Sequence, residues 1–122
     1  MPKKILVADD EHGARHLLEV ALTSRGYEVL TASNGTEALR IAHNLKPDLV
    51  LLDVQMPEMD GDAVATEIRS EKSAVKNVPI IFITGLRTEK EIEEDHEENI
   101  FAKPVKLEIL FEKIKSLIGE PV

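Results

Sequence analysis

The stretch PDLVLLDVQMPEMDG, residues 47–61, decides the fold. Four consecutive apolar residues, 49–52, are followed directly by an acid, Asp53. An apolar run of this length between turn residues is typical of a strand that is buried on both faces. A carboxylate at the end of such a strand is costly to bury unless something pairs with it. The stretch therefore predicts a central strand that ends in a polar cleft.

Runs of strand length alternate with helical patterns along the rest of the chain. The predicted strands are Ile5–Ala8, Glu28–Ala32, Leu49–Leu52, Ile80–Ile83 and Asn99–Ala102. The segments between them, and the segment after the last, repeat apolar residues at i, i+3 and i+4, the spacing of amphipathic helices. We therefore predict an α/β fold with a (βα)5 arrangement: a doubly wound, five-stranded parallel sheet in the order 2-1-3-4-5.

Helix 4 is the weak element of this pattern. Residues 89–98 hold seven acids against one lysine, and Ile92 is the one clearly apolar residue. Acids at i, i+3 and i+4 repel one another, and there is little apolar surface to bury. We expect helix 4 to be short, shifted or mobile.

Composition limits the class of protein. The 122 residues fit one domain, and a hydrophobic content of 43% is enough for a core. The net charge of −8 argues against direct binding of nucleic acid. The sequence has no cysteine and no apolar run long enough to span a membrane, and its first apolar stretch is too short for a signal peptide. We expect a soluble, cytoplasmic protein that does not insert into membranes.

Polar residues follow four of the predicted strands. Asp9 and Asp10 follow strand 1, Asp53 follows strand 3, Thr84 follows strand 4 and Lys103 follows strand 5. Ligands of open α/β sheets gather beyond these carboxyl ends. Three carboxylates there would repel one another, and a hard cation such as Mg²⁺ removes the conflict. The alternative is that Asp9 and Asp10 only cap helix 1.

A carboxylate beside Mg²⁺ has a definite chemical use. It can attack a phosphoryl group and form an aspartyl phosphate. Asp53 is the best nucleophile candidate because it stands alone on the central strand. Lys103 would balance the charge of the transferring group, and the Thr84 hydroxyl would donate to one of its oxygens.

Four segments together resemble a known family. KILVADDE (4–11), LVLLDVQMPEMDG (49–61), IIFITG (80–85) and FAKPV (101–105) occur in the order found in response regulator receiver domains of the CheY type. The resemblance covers essentially the whole chain. It implies a flavodoxin-like fold, and we expect a single receiver domain over residues 1–122 and, if the chain is complete, no output domain.

The resemblance also implies roles for individual residues. Asp53 would be the phosphoacceptor, with Thr84 and Lys103 on the phosphoryl group. Mg²⁺ would bind Asp10 and Asp53, with help from Asp9 and from the backbone carbonyl of Gln55. The resemblance further implies a cis peptide bond between Lys103 and Pro104, and Pro57 and Gly61 would shape the loop after the phosphorylation site.

The family resemblance implies a signalling role rather than an enzymatic one. The donor would be a phosphohistidine on a sensor histidine kinase or a histidine phosphotransfer protein. The chain would catalyse only its own phosphorylation and dephosphorylation. Its output would be the binding of an unidentified protein or the onward transfer of the phosphoryl group in a phosphorelay.

Three features depart from the family pattern. The position three residues before Lys103, often aromatic in the family, is Ile100, and strict alternation would turn Phe101 to the opposite face of the sheet. The segment from Thr84 to Lys103 is about one helical turn shorter than usual. The third departure is the acidic run of helix 4. All three fall on the family's usual output face, so we expect intact phosphorylation chemistry with unusual signalling.

Two other functions stay open from the sequence. One is a Mg²⁺-dependent phosphatase of the haloacid dehalogenase type, which would need a second acid two residues after the nucleophile, where this chain has Gln55. The other is a scaffold that keeps the fold without being phosphorylated.

Overall fold

The computed structural model describes residues 2–94 and 99–122. Its strands are β1 (Lys4–Ala8), β2 (Glu28–Ala32), β3 (Leu49–Asp53), β4 (Ile80–Thr84) and β5 (Ile100–Ala102). Its helices are α1 (His12–Ser24), α2 (Gly35–Leu45), α3 (Gly61–Ile68), α4 (Glu89–Glu94) and α5 (Leu107–Ile118). All four strand pairs are parallel and the order is β2-β1-β3-β4-β5, which confirms the predicted topology.

The sheet is covered on both faces. Val50 and Leu52 of β3 face a core shared with α2 and α3, while Leu49 and Leu51 face a second core shared with α1 and α5. Every residue of β3 is buried, as the apolar run predicted. Because neither face of β3 meets solvent, its backbone is a rigid support for the residue at its end.

Two strands end one residue later than predicted. Asp53 is paired with Ile83 across β3 and β4, and Thr84 is paired with Ala102 across β4 and β5. Periodicity cannot detect this, because both residues are polar and their inclusion depends on the neighbouring strand. The two functional candidates thus stand on the sheet, where their backbones are fixed.

Helix α4 is short, as predicted, with six residues. It begins in a capping box: the Thr88 N–H donates to Glu91 Oε1 at 3.1 Å, and the Glu91 N–H donates to Thr88 Oγ1 at 3.2 Å. Ile92 is buried beneath it. The remainder of the acidic run, residues 95–98, lies outside the described residues. No described helix is long and apolar enough to cross a membrane.

Candidate functional site

Three carboxylates converge at the carboxyl edge of the sheet. One oxygen from each of Asp9, Asp10 and Asp53 lies within 4.8 Å of the others. Asp9 and Asp53 are buried, with 2% and 5% of their surface exposed, whereas Asp10 is exposed. This arrangement follows from the topology, because β1 and β3 are adjacent and end at the same edge. The predicted acidic cluster is therefore present.

Lys103 brings the compensating cation into this cluster. Its Nζ lies 2.8 Å from Asp9 Oδ2 and 3.0 Å from Asp53 Oδ2. The contact with Asp53 is a hydrogen bond, while the contact with Asp9 is an ion pair without aligned hydrogen-bond geometry. The Lys103–Pro104 peptide bond is cis, as the resemblance implied. The lysine expected beside a phosphoryl group thus pairs with both buried acids.

Asp53 is held from the loop that follows it. The Gln55 N–H donates to Asp53 Oδ1 at 3.1 Å, so each carboxylate oxygen of Asp53 has a partner. The Gly61 N–H donates to the Val54 carbonyl at 2.9 Å, which closes the loop onto β3. A Cβ at Gly61 would lie 2.4 Å from the Asp53 carbonyl oxygen. Glycine is required there because the loop passes directly behind the candidate nucleophile.

Asp9 is held by contacts that sequence reasoning missed. Its N–H donates to the Ala32 carbonyl at 3.1 Å, and its Oδ1 accepts from the Glu11 N–H at 2.9 Å. Its carbonyl oxygen accepts from Nη1 of Arg15 at 2.9 Å. No local sequence signal identifies Arg15, because its reach depends on where α1 begins and on its rotamer.

Thr84 lies at the same edge, at the end of β4. It is 3% exposed, and its Oγ1 accepts from the Leu86 N–H at 3.0 Å. Its carbonyl oxygen accepts from the Lys103 N–H at 2.8 Å, which links β4 to the residue that carries the cation. Accepting this bond uses a lone pair of Oγ1, and a hydroxyl can donate its own proton at the same time.

The charges of the site are strongly linked. Burial raises the pKa of Asp53, the hydrogen bonds from Lys103 and Gln55 lower it only in part, and Asp9 adds to the rise. Burial works to lower the pKa of Lys103, but Asp9 and Asp53 outweigh it and the pKa is raised. The ammonium is therefore firmly protonated, while ionised Asp53 is disfavoured by its surroundings.

The donor set fits a hard divalent cation. All the candidate side-chain ligands are carboxylate oxygens, which Mg²⁺ prefers over nitrogen or sulfur. Asp9 Oδ2 is buried and pairs with the Lys103 ammonium without an aligned hydrogen bond, so its lone pairs can still coordinate a cation. The metal identity and the carbonyl of Gln55 as a ligand stay predictions.

Strand β5 agrees with the predicted departure from the family. Phe101 packs against the core shared with α1 and α5, on the opposite face from Phe82, which is paired with Ile100. The alternation argument is thereby confirmed. Phe101 therefore lies on the face of the sheet opposite to Ile100, as the sequence predicted.

Comparison with known sequences supports the resemblance to response regulator receiver domains. The family profile described as "Response regulator receiver domain" matches residues 5–115. "Probable transcriptional regulator ycf27" of Porphyra purpurea is 54% identical over 84 residues, which is 69% of this chain and 33% of that protein. The alkaline phosphatase synthesis transcriptional regulatory protein PhoP of Bacillus subtilis is 46% identical over 85 residues, 70% of this chain and 34% of that protein. The chain spans about a third of the length of these curated relatives.

Solved structures are similar over nearly the whole chain. The chemotaxis protein CheY4 of Vibrio cholerae has a TM-score of 0.81 and 28% identity, covering 96% of this chain and 99% of that one. A signal receiver domain of a signal transduction histidine kinase from Syntrophus aciditrophicus has a TM-score of 0.82 and 29% identity, covering 96% and 90%. This protein belongs to the response regulator receiver domain family.

Proposed function

We propose that Asp53 accepts a phosphoryl group from a phosphohistidine and that the resulting aspartyl phosphate is the signalling state. The observation that carries this proposal is the hydrogen bond from Lys103 to Asp53. Asp53 is also one of the three carboxylates of the acidic cluster. A nucleophile between a cation and a potential metal site is the arrangement that phosphoryl transfer needs.

The reaction makes and breaks one bond at phosphorus. A carboxylate oxygen of Asp53 would form the new phosphorus–oxygen bond while the phosphorus–nitrogen bond of the donor breaks; the donor ring would carry a proton on its other nitrogen, so that it leaves as neutral imidazole. Lys103 would shift from the carboxylate toward the incoming phosphoryl oxygens, and the Thr84 hydroxyl would donate to another of them. The buried backbone of β3 fixes the attacking atom, so that little reorganisation is needed.

We propose Mg²⁺ as the ion held by Asp10 and Asp53, with Asp9 and the Gln55 carbonyl in support. When bound, it would neutralise the acids and balance charge on the transferring phosphoryl group. The exposed Asp10 is the ligand best able to adjust its position. Asp9 is fixed by its contacts with Glu11, Arg15 and Lys103.

We propose that the donor, a sensor histidine kinase or a phosphotransfer protein, approaches along α1. A groove of about 460 Å³ lies between α1 and the β5–α5 loop, and its lining includes Leu17, Val105, Asp9 and Lys103. Leu17 is 58% exposed, so an apolar contact is available next to the cleft. The groove would direct a partner's histidine toward Asp53.

The chain would be a phosphoacceptor and not a phosphatase that turns over external substrates. At the position where a haloacid dehalogenase would supply its general acid, this chain has Gln55, whose side-chain amide cannot act as a general acid–base. The curated relatives are named as transcriptional regulators, and this chain matches about a third of their length. Control of transcription would therefore be a proposal only for a longer protein that contains this domain.

Incubation with acetyl phosphate and Mg²⁺ tests the proposal, with the intact mass as the readout. The wild-type protein should gain the mass of one phosphoryl group, and Asp53→Asn or added EDTA should abolish the gain. Asp48→Asn, at an exposed acid before β3, is the matched control and should be phosphorylated normally. No gain in the wild type would favour the unphosphorylated scaffold, and sustained hydrolysis of a generic phosphate ester would favour the phosphatase.

A further inference from the structure

Arg15 connects the first turn of α1 to the acidic cluster. Its Nη1 donates to the Asp9 carbonyl at 2.9 Å, and its Nη2 is 3.2 Å from His12 Nδ1. A guanidinium group has no acceptor, so Nδ1 of His12 must accept. One planar group is thereby fixed by two different residues, through a rigid fork of donors that a lysine ammonium lacks.

We propose that Arg15 is a positioning residue for the metal site, acting through the backbone of Asp9; this rests on the function proposed above. The N–H, the carbonyl and Oδ1 of Asp9 all have hydrogen-bond partners, from Ala32, Arg15 and Glu11. Of these, only the bond from Arg15 is made by a side chain that α1 itself carries. Arg15 therefore ties the β1–α1 turn, which carries Asp9 and Asp10, to the helix.

Removing this tie should loosen the turn rather than unfold the protein. The backbone hydrogen bond from the Asp9 N–H to the Ala32 carbonyl, one residue beyond β1, does not involve Arg15 and would remain. The Glu11 N–H bond to Asp9 Oδ1 closes the same turn that Arg15 anchors and would weaken. Asp9 Oδ2 would then be less well aligned with Asp53, which lowers the preorganisation of the ligand set.

The direction in which Mg²⁺ affinity changes when Arg15 is replaced shows whether Arg15 orients a ligand or acts only through its charge. Arg15 is a cation close to an anionic site, so by Coulomb's law alone its removal would strengthen Mg²⁺ binding. A residue that orients a ligand has the opposite effect, since its removal weakens binding. The two explanations predict changes in opposite directions for one measurement.

The test compares Mg²⁺ dissociation constants of the full chain by calorimetric titration. Arg15→Met should weaken Mg²⁺ binding about tenfold. Arg15→Lys keeps the charge but lacks the planar fork that contacts Asp9 and His12 together, so it should show a smaller loss in the same direction. Arg40→Met, at an exposed arginine on α2, is the charge-matched control and should not weaken binding. Unfolding by denaturant, run in parallel, identifies any loss that is due to instability.

A second readout needs no metal. Hydrogen exchange at the Glu11 amide of the metal-free protein should accelerate in Arg15→Met and not in Arg40→Met, because this amide is bound to Asp9 Oδ1. Equal or tighter Mg²⁺ binding by Arg15→Met, or unchanged exchange at Glu11, would overturn the proposal. If Arg15→Met does not fold, wild-type affinity and exchange in Arg15→Lys would overturn it equally.

If the phosphoacceptor function proposed for Asp53 is wrong, the measurements differ from those expected when only the role of Arg15 is wrong. In that case the wild-type protein itself would show no Mg²⁺ binding that depends on Asp53. The exchange measurement at Glu11 would still decide whether Arg15 holds the turn.

Discussion

Lys103 Nζ donates a hydrogen bond to Asp53 Oδ2 at 3.0 Å, and the same ammonium lies 2.8 Å from Asp9. The candidate nucleophile and the cation that would stabilise its product are thus already in contact. The pair ties the end of β3 to the residue after β5 across the whole carboxyl edge of β4.

Replacement of Lys103 should separate metal binding from phosphorylation. Lys103→Met removes the nearest cation, so Mg²⁺ should bind several-fold more tightly, while the rate of phosphorylation by acetyl phosphate should fall by about 100-fold. Calorimetry and the intact mass as a function of time measure the two quantities. Lys76→Met, an exposed lysine, is the control. An unchanged rate in Lys103→Met would remove the lysine from the mechanism.

The same replacement should alter the pH dependence. The hydrogen bond from Lys103 lowers the pKa of Asp53 against the effect of burial. Without it the pKa of Asp53 should rise further, so the ionised nucleophile would form only at higher pH. The acidic limb of the pH–rate profile should therefore move to higher pH in Lys103→Met, and a move to lower pH would contradict this account.

Neutralising Asp53 should stabilise the metal-free protein. Its pKa is raised on folding, so the folded state binds the proton more tightly and ionisation costs stability as the pH rises above the unfolded value near 4. At pH 7 in EDTA, Asp53→Asn should therefore raise the free energy of unfolding. The gain should vanish below about pH 4, where Asp53 is protonated in both states.

Addition of Mg²⁺ provides the matching control for this prediction. A metal that binds only the folded state should raise the stability of the wild-type protein with concentration and have much less effect on Asp53→Asn. Denaturant unfolding at several Mg²⁺ concentrations measures both. If Asp53→Asn is less stable than the wild type in EDTA at pH 7, the bonds from Lys103 and Gln55 fully compensate the cost of burying ionised Asp53.

Gly61 should not tolerate a methyl group. Gly61→Ala places a Cβ 2.4 Å from the Asp53 carbonyl, so the loop must shift and the free energy of unfolding should fall by about 2 kcal/mol. Gly13→Ala in α1 is the matched control: its Cβ would meet nothing within 4 Å, and the helix should gain about 0.5 kcal/mol. Equal effects of the two substitutions on stability would argue against the close approach.

Lys46 offers a stabilising substitution away from the site. It ends α2 in the left-handed conformation, with φ 46° and ψ 66°, which is unfavourable for a residue with a Cβ. Lys46→Gly should raise the free energy of unfolding by about 1 kcal/mol without altering Mg²⁺ affinity. A loss of stability would show that the lysine side chain makes a larger contribution than its backbone costs.

The topology and the acidic cluster could be predicted because their signals are local. The apolar run 49–52 marks β3, and acids directly after β1 and β3 must meet once those strands are adjacent. The ion pair between Lys103 and Asp9 was not predicted, since it depends on side-chain reach across the cleft. Arg15 was missed for the same reason.

The capping box of α4 was not identified, although its signal is in the sequence. Thr88 and Glu91 have the spacing of a capping box, and the structure forms it. The expectation for this helix rested on the acidic run alone. The cap shows that a helix with one buried apolar residue, Ile92, still has a defined first turn.

The most direct test of the central claim locates the phosphoryl bond. Borohydride reduces an aspartyl phosphate to homoserine, so reduction of the protein after treatment with acetyl phosphate and Mg²⁺, followed by peptide sequencing, identifies the acceptor. Homoserine at position 53, and its absence when Mg²⁺ is withheld, is the predicted result. Homoserine at Asp9 or Asp10 instead, or unmodified Asp53 in a protein that has gained phosphoryl mass, would contradict the account.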